Sequence, residues 1–103
     1  MDLDELDREV AARVSNWQAA GARWEVKRGR FTSKPSTSLC LEAGGVRAEL
    51  DLWASGEAGL MRVRVAGGEL VIEHYDITTL ASLRGCLDNL EAYTGLQTPP
   101  FDA

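Results

Sequence analysis

Two glycine pairs, Gly44-Gly45 and Gly67-Gly68, each interrupt a run of alternating apolar and polar residues. A two-residue hairpin loop needs positive φ at its centre, which glycine reaches without steric cost. Each pair therefore predicts a β-hairpin of defined register. Across the first pair, Ala43 faces Val46, Leu41 faces Ala48 and Leu39 faces Leu50, with Glu42 opposite Arg47. Across the second, Val65 faces Leu70, Val63 faces Ile72 and Met61 faces His74, with Arg62 opposite Glu73. Reading Ser55-Gly56-Glu57-Ala58 as a four-residue turn joins the hairpins and sets Leu52 against Met61, Leu50 against Val63 and Ala48 against Val65. All three turns then put apolar residues on one side, and a slip of one residue would invert that.

In this register the inner rows are Leu41, Ala48, Val65, Leu70; Leu39, Leu50, Val63, Ile72; and Leu52, Met61, His74. The outer rows are Cys40, Glu49, Arg64, Val71; Ser38, Asp51, Arg62, Glu73; and Trp53, Leu60, Tyr75. The charged outer rows form a ladder of opposite signs, each pair worth roughly 0.2–1 kcal/mol. The ladder ends in an aromatic patch.

Leu3, Leu6, Val10, Val14 and Trp17 recur at helical spacing, with Gly21 as a C′ stop, and predict a helix over 2–20. Leu80, Leu83, Leu87 and Leu90 predict a second helix over 79–93, with Asp76 and Thr78 available as caps and Gly95 closing it. Residues 22–31 alternate well enough for a further strand, and the segment from Thr32 to Thr37, with Lys34-Pro35 inside it, is a loop. The whole predicts a single α+β domain over 1–103. An antiparallel meander of four to five strands (about 22–31, 38–43, 46–54, 59–66 and 69–75) carries both terminal helices on its one apolar face, before a tail over 96–103.

Composition narrows the function. A chain of 103 residues can bury a modest core without metal or disulfide support. A net charge of -5 argues against a nucleic-acid partner, since phosphate neutralisation needs a basic surface. No apolar run reaches the roughly 18 residues of a membrane span. The acidic N-terminus is unlike a secretory signal, so a cytoplasmic protein is expected. Five acids (Asp2, Asp4, Glu5, Asp7, Glu9) crowd the first nine residues. They suit a helix N-terminus, where negative side chains complement the macrodipole, or an acidic surface offered to a basic partner.

Little here looks catalytic. Cys40 and Cys86 make neither a disulfide framework nor a CxxC site, and with one histidine, His74, they supply no metal-ligand set. Cys40 projects from the face opposite His74. Only Cys86 could approach it, and a Cys86–His74 enzyme would need an exposed thiol of lowered pKa. The glycines fit no phosphate loop. Asp51 and Glu73 have Arg62 between them, which makes a salt-bridge ladder rather than an acid–base pair. No enzyme and no cofactor are therefore expected. What remains is a binding surface: Trp53, Tyr75, Leu60, Asp51, Arg62, Glu73 and Glu57. Aromatic and arginine residues flanked by charge are typical of interface hot spots.

The run Glu49-Leu50-Asp51-Leu52-Trp53-Ala54-Ser55-Gly56-Glu57-Ala58, followed by Gly68-Glu69 and Glu73-His74, resembles the TriTu-type immunity proteins of bacterial polymorphic toxin systems. The similarity covers about 38–92: a strand ending in W-x-S-G-E, a hairpin, a strand ending in E-H, and a C-terminal helix. Positions matched are Trp53, Ser55, Gly56, Glu57 and His74. The resemblance implies a protein, monomeric when free, that binds and neutralises a cognate toxin, an ADP-ribosyltransferase modifying the translation factor EF-Tu. A small acidic secretion chaperone that binds an effector segment is the alternative.

Overall fold

The computed structural model describes residues 2–29, 35–64 and 66–96. The chain runs α1 (Asp4–Ala19), β1 (Arg23–Arg28), β2 (Ser36–Ala43), β3 (Val46–Trp53), β4 (Glu57–Arg64), β5 (Leu70–Asp76) and α2 (Leu80–Thr94). The five strands form one antiparallel sheet in the order β1-β2-β3-β4-β5, as a meander should, and both helices lie on one face. The expected α+β architecture is therefore the observed one. Val65, Arg30, Phe31, residues 32–34 of the predicted loop and the tail beyond Leu96 lie outside the described residues, while Ser36 and Thr37, expected in that loop, begin β2.

The first hairpin forms as its glycines require. Gly44 and Gly45 hold φ of 59° and 77°, and Ala43↔Val46, Glu42↔Arg47, Leu41↔Ala48 and Leu39↔Leu50 pair in the predicted register. The second does not close on a two-residue loop. Gly68 alone has positive φ, its N–H donates to the Arg64 carbonyl at 2.8 Å, and Val63 pairs with Leu70, two residues from the expected match. A two-residue shift preserves which side each residue faces.

The turn between β3 and β4 changes the picture. Gly56, at φ 97°, donates to the Trp53 carbonyl at 2.9 Å, and β4 already begins at Glu57. Its own carbonyl accepts the Ile77 N–H at 2.7 Å, and a Cβ at this position would meet the Ile77 oxygen at 2.8 Å. β3 thus ends one residue sooner, and β4 begins two sooner, than the four-residue reading assumes. Leu50 pairs with Leu60 and Leu52 with Ala58, a slip of three residues from the expected Leu50–Val63 and Leu52–Met61. An odd slip turns a strand over. Residues 60–64 and 70–75 therefore face the side opposite to the expectation.

The core lies between sheet and helices: Leu39, Leu41, Ala48, Leu50, Leu52, Ala58 and Leu60 from the strands, Leu6, Val10 and Trp17 from α1, and Leu83, Cys86, Leu87 and Leu90 from α2. Leu80, expected on the helix stripe, is instead among the exposed apolar residues. Gly95, at φ 76°, ends α2 as predicted. Its N-cap is Thr79, in a capping box with Ser82, rather than Asp76 or Thr78.

The acidic N-terminal block is spent within the fold. Arg28 on β1 reaches Asp4 at 2.7 Å and Asp7 at 2.6 Å, Arg84 on α2 reaches Glu9 at 2.9 Å, and Arg8 pairs with Glu5 at 2.8 Å. Deeper, Glu91 of α2 is 2% exposed, takes the Trp17 indole N–H at 3.0 Å, and pairs with Arg13 of α1. Arg13 also reaches Asp88 at 2.9 Å. This joint ties α1 to α2.

Candidate functional site

The outer face of the sheet, away from the helices, divides into two halves. Its rows read Arg23, Glu42, Arg47, Val63, Leu70; then Glu25, Cys40, Glu49, Met61, Ile72; then Lys27, Ser38, Asp51, Gly59, His74. Over β1 to β3 these positions are charged or polar. Over β4 and β5 they are mainly apolar. Leu70 and Ile72 are 53% and 55% exposed, and half-buried Val63 and Met61 stand directly opposite them. These apolar side chains adjoin in one solvent-facing patch. Trp53 and His74 border the patch, and an open cleft lined by Trp53, Glu57, Ala58, His74, Tyr75 and Asp76 lies at its lower end.

The seven residues expected to form one binding surface fall on both faces. Trp53 and Asp51 lie on the outer side, and exposed Glu57 opens β4 beside them. Asp51 accepts from the Ser38 hydroxyl at 2.6 Å. Leu60 is 1% exposed and belongs to the core, opposite Leu50. Tyr75, Arg62 and Glu73 face the helix side, as the inverted β4 and β5 require. The expected charge ladder through Arg62, Arg64 and Glu73 consequently does not form, and Asp51 and Glu73 are on opposite faces.

On the helix side these groups meet Tyr93 of α2. Tyr93 and Tyr75 both donate to the Glu73 carboxylate, the latter at 3.0 Å, and the Arg62 guanidinium lies 4.4 Å from the Tyr93 ring centroid. The two hydroxyls, with help from Arg62, hold the Glu73 carboxyl below its usual range, Tyr93 contributing most. Burial and the neighbouring carboxylate push both phenols up. The cluster pins the C-terminal part of α2 to β4 and β5. The charge on Glu91 stands on the apolar stripe of α2 (Leu83, Leu87, Leu90), the one sequence sign of a buried ionic contact.

Glu49, on the outer side next to Asp51, has its pKa raised, first by desolvation and then by the Asp51 carboxylate. Cys86 is 3% exposed, and burial pushes its thiol up, the reverse of an activated nucleophile. His74 is exposed on the opposite face of the sheet, so Cys86 and His74 do not form a nucleophile–base pair. Among the described residues no cluster of three or more His, Cys, Asp or Glu is placed to hold a metal ion, and no helix is long and apolar enough to cross a membrane.

No family model, curated protein or solved structure compared with this chain matches it.

Proposed function

We propose that this chain is an immunity protein that binds and neutralises a cognate antibacterial toxin in the bacterial cytoplasm, the toxin being of the EF-Tu-modifying ADP-ribosyltransferase class that the sequence resemblance implies. The observation carrying this reading is the exposed apolar patch of Met61, Val63, Leu70 and Ile72 on the outer face. An isolated domain gains nothing from leaving these side chains in water, whereas a docking surface requires them there. The net charge of -5 favours fast association with a basic partner.

The test is co-purification with the product of the adjacent upstream gene, followed by light scattering. A one-to-one complex with a folded toxin domain supports the proposal, and the absence of a complex sinks it. Within such a complex, Trp53→Ala at the border of the patch should weaken binding by about 2 kcal/mol, the scale of a hot-spot residue. Unchanged affinity in a folded variant would remove Trp53 from the contact.

The secretion-chaperone reading retains one observation in its favour, the edge of β5, which pairs with no further strand among the described residues and can receive an extended chain. It requires the captured partner to be an unfolded segment and not a folded domain.

A further inference from the structure

The two edges of the sheet differ in sign and in shielding. The β1 edge carries Arg23, Glu25 and Lys27 on its outer face, all exposed, and Arg28 turned inward to α1. Charged, Lys-bearing edges of this kind resist pairing with other chains. The β5 edge has no such protection. Its outer residues are Leu70, Ile72 and His74, and residues 69–76 contain three acids, one histidine and neither Lys nor Arg.

The backbone of β5 is set for pairing. The Arg64 N–H donates to the Glu69 carbonyl and the Ile77 N–H to the Gly56 carbonyl, so the odd-numbered residues turn their polar groups to β4. By antiparallel alternation, Leu70, Ile72, His74 and Asp76 turn theirs to the open edge. The same residues present their side chains on the outer face, so edge and apolar patch are one continuous surface. Exposed Glu69 stands at one end of it and exposed Asp76 and Glu57 at the other.

We propose that the β5 edge takes up, by strand addition, an extended segment of the partner in which apolar and basic residues alternate. This rests on the partner-binding reading above and names its mode. Main-chain hydrogen bonds to Leu70, Ile72, His74 and Asp76 extend the sheet to a sixth strand. Apolar side chains of the incoming strand lie beside Leu70 and Ile72, and its basic residues reach Glu69, Asp76 and Glu57. Charge complementarity selects this occupant over a second copy. A two-fold β5–β5 pair would join two acidic strands, and β1 stacked on β5 would grow an unclosed chain.

The experiment is fluorescence anisotropy on the whole protein. It uses two labelled peptides matched to the seven residues of β5, one alternating lysine with valine and one alternating glutamate with valine. The lysine peptide should bind saturably, at least about tenfold tighter than the glutamate peptide, and more weakly as salt rises. Ile72→Lys and, separately, Leu70→Lys should each lower its affinity about tenfold or more with circular dichroism unchanged, since both side chains are more than half exposed. Lys27→Ile on β1 should leave it unaltered. Absence of binding, equal binding of both peptides, or full binding by a folded Ile72→Lys variant would overturn the proposal. A dimer in light scattering that Ile72→Lys dissolves would overturn it in favour of a second copy. If the toxin complex survives Ile72→Lys intact, the edge assignment falls while the immunity function stands. If no toxin is captured but the peptide results hold, the reverse is true.

Discussion

Glu73 shows how far one residue's role depends on which way its strand faces. On the outer side it would be a screened rung of a surface ladder. On the helix side it collects the hydroxyls of Tyr93 and Tyr75 near Arg62. Its folded pKa is depressed, so its stabilising contribution is complete above the unfolded carboxylate pKa of about 4.3 and is lost as pH falls through the lower folded value. Tyr93→Phe removes its first donor. The variant should therefore show a lower urea midpoint than the parent near neutral pH, and the gap should close on acidification through that window; urea titrations at several pH values check this. A gap independent of pH would mean that Tyr93 acts by packing alone. Cysteine chemistry gives a second check. Cys40 is half-buried on the outer face, while Cys86 is in the core with its thiol pushed up by burial. A thiol reagent should modify Cys40 first in the native protein and Cys86 only after denaturation.

At the scale of elements, the turn at Gly56 decides the identity of a whole face. β4 is apolar in both phases, with Ala58 and Leu60 in one and Met61 and Val63 in the other. Hydrophobic alternation is therefore silent on which phase is buried. That is why the agreement among three predicted turns misled: the first hairpin was legible from Gly44-Gly45, but a three-residue slip at the next turn satisfies the apolar pattern equally well. What the alternation lacked was the hydrogen bond from Ile77 to the Gly56 carbonyl, a contact across 21 positions of sequence. Paired substitutions read the phase directly. Leu60→Ala should destabilise by about 2–5 kcal/mol through loss of a buried side chain and the cavity it leaves. Met61→Ala should cost about 1 kcal/mol or less. Chemical denaturation of the two variants distinguishes the registers, because the alternative register predicts the opposite order.

Across the whole molecule, the two helices are held to each other by charge as well as by apolar packing. Glu91 lies between Trp17 and Arg13 with almost no access to water, and its carboxylate accepts from both. Arg13→Met strands that carboxylate and should cost on the order of 3 kcal/mol in unfolding free energy. Adding Glu91→Gln to Arg13→Met should recover much of the loss, which a double-mutant comparison of unfolding curves measures. The same layering separates stability from recognition. The helix side holds the core, the ionic joint and the tyrosine cluster, while the apolar outer patch of β4 and β5 contributes little to holding the fold together. Substitutions such as Ile72→Lys can therefore alter binding without unfolding the domain.

The sequence by itself determined the element order, the two helices with their glycine stops, the antiparallel meander and the register of the first hairpin. Each of these depends on local patterns: helical spacing, strand alternation and the backbone freedom of Gly44, Gly45, Gly21 and Gly95. Trp53 and Asp51 were likewise placed on the outer face by β3 alone, whereas Glu57, expected inside the turn, opens β4. Only the tertiary structure decided that Leu60, Arg62, Glu73 and Tyr75 turn toward the helices and that Met61, Val63, Leu70 and Ile72 turn toward solvent. The physical reason is parity. A strand has two faces, a loop length that changes by an odd number exchanges them, and where both faces carry apolar residues only long-range contacts choose between them.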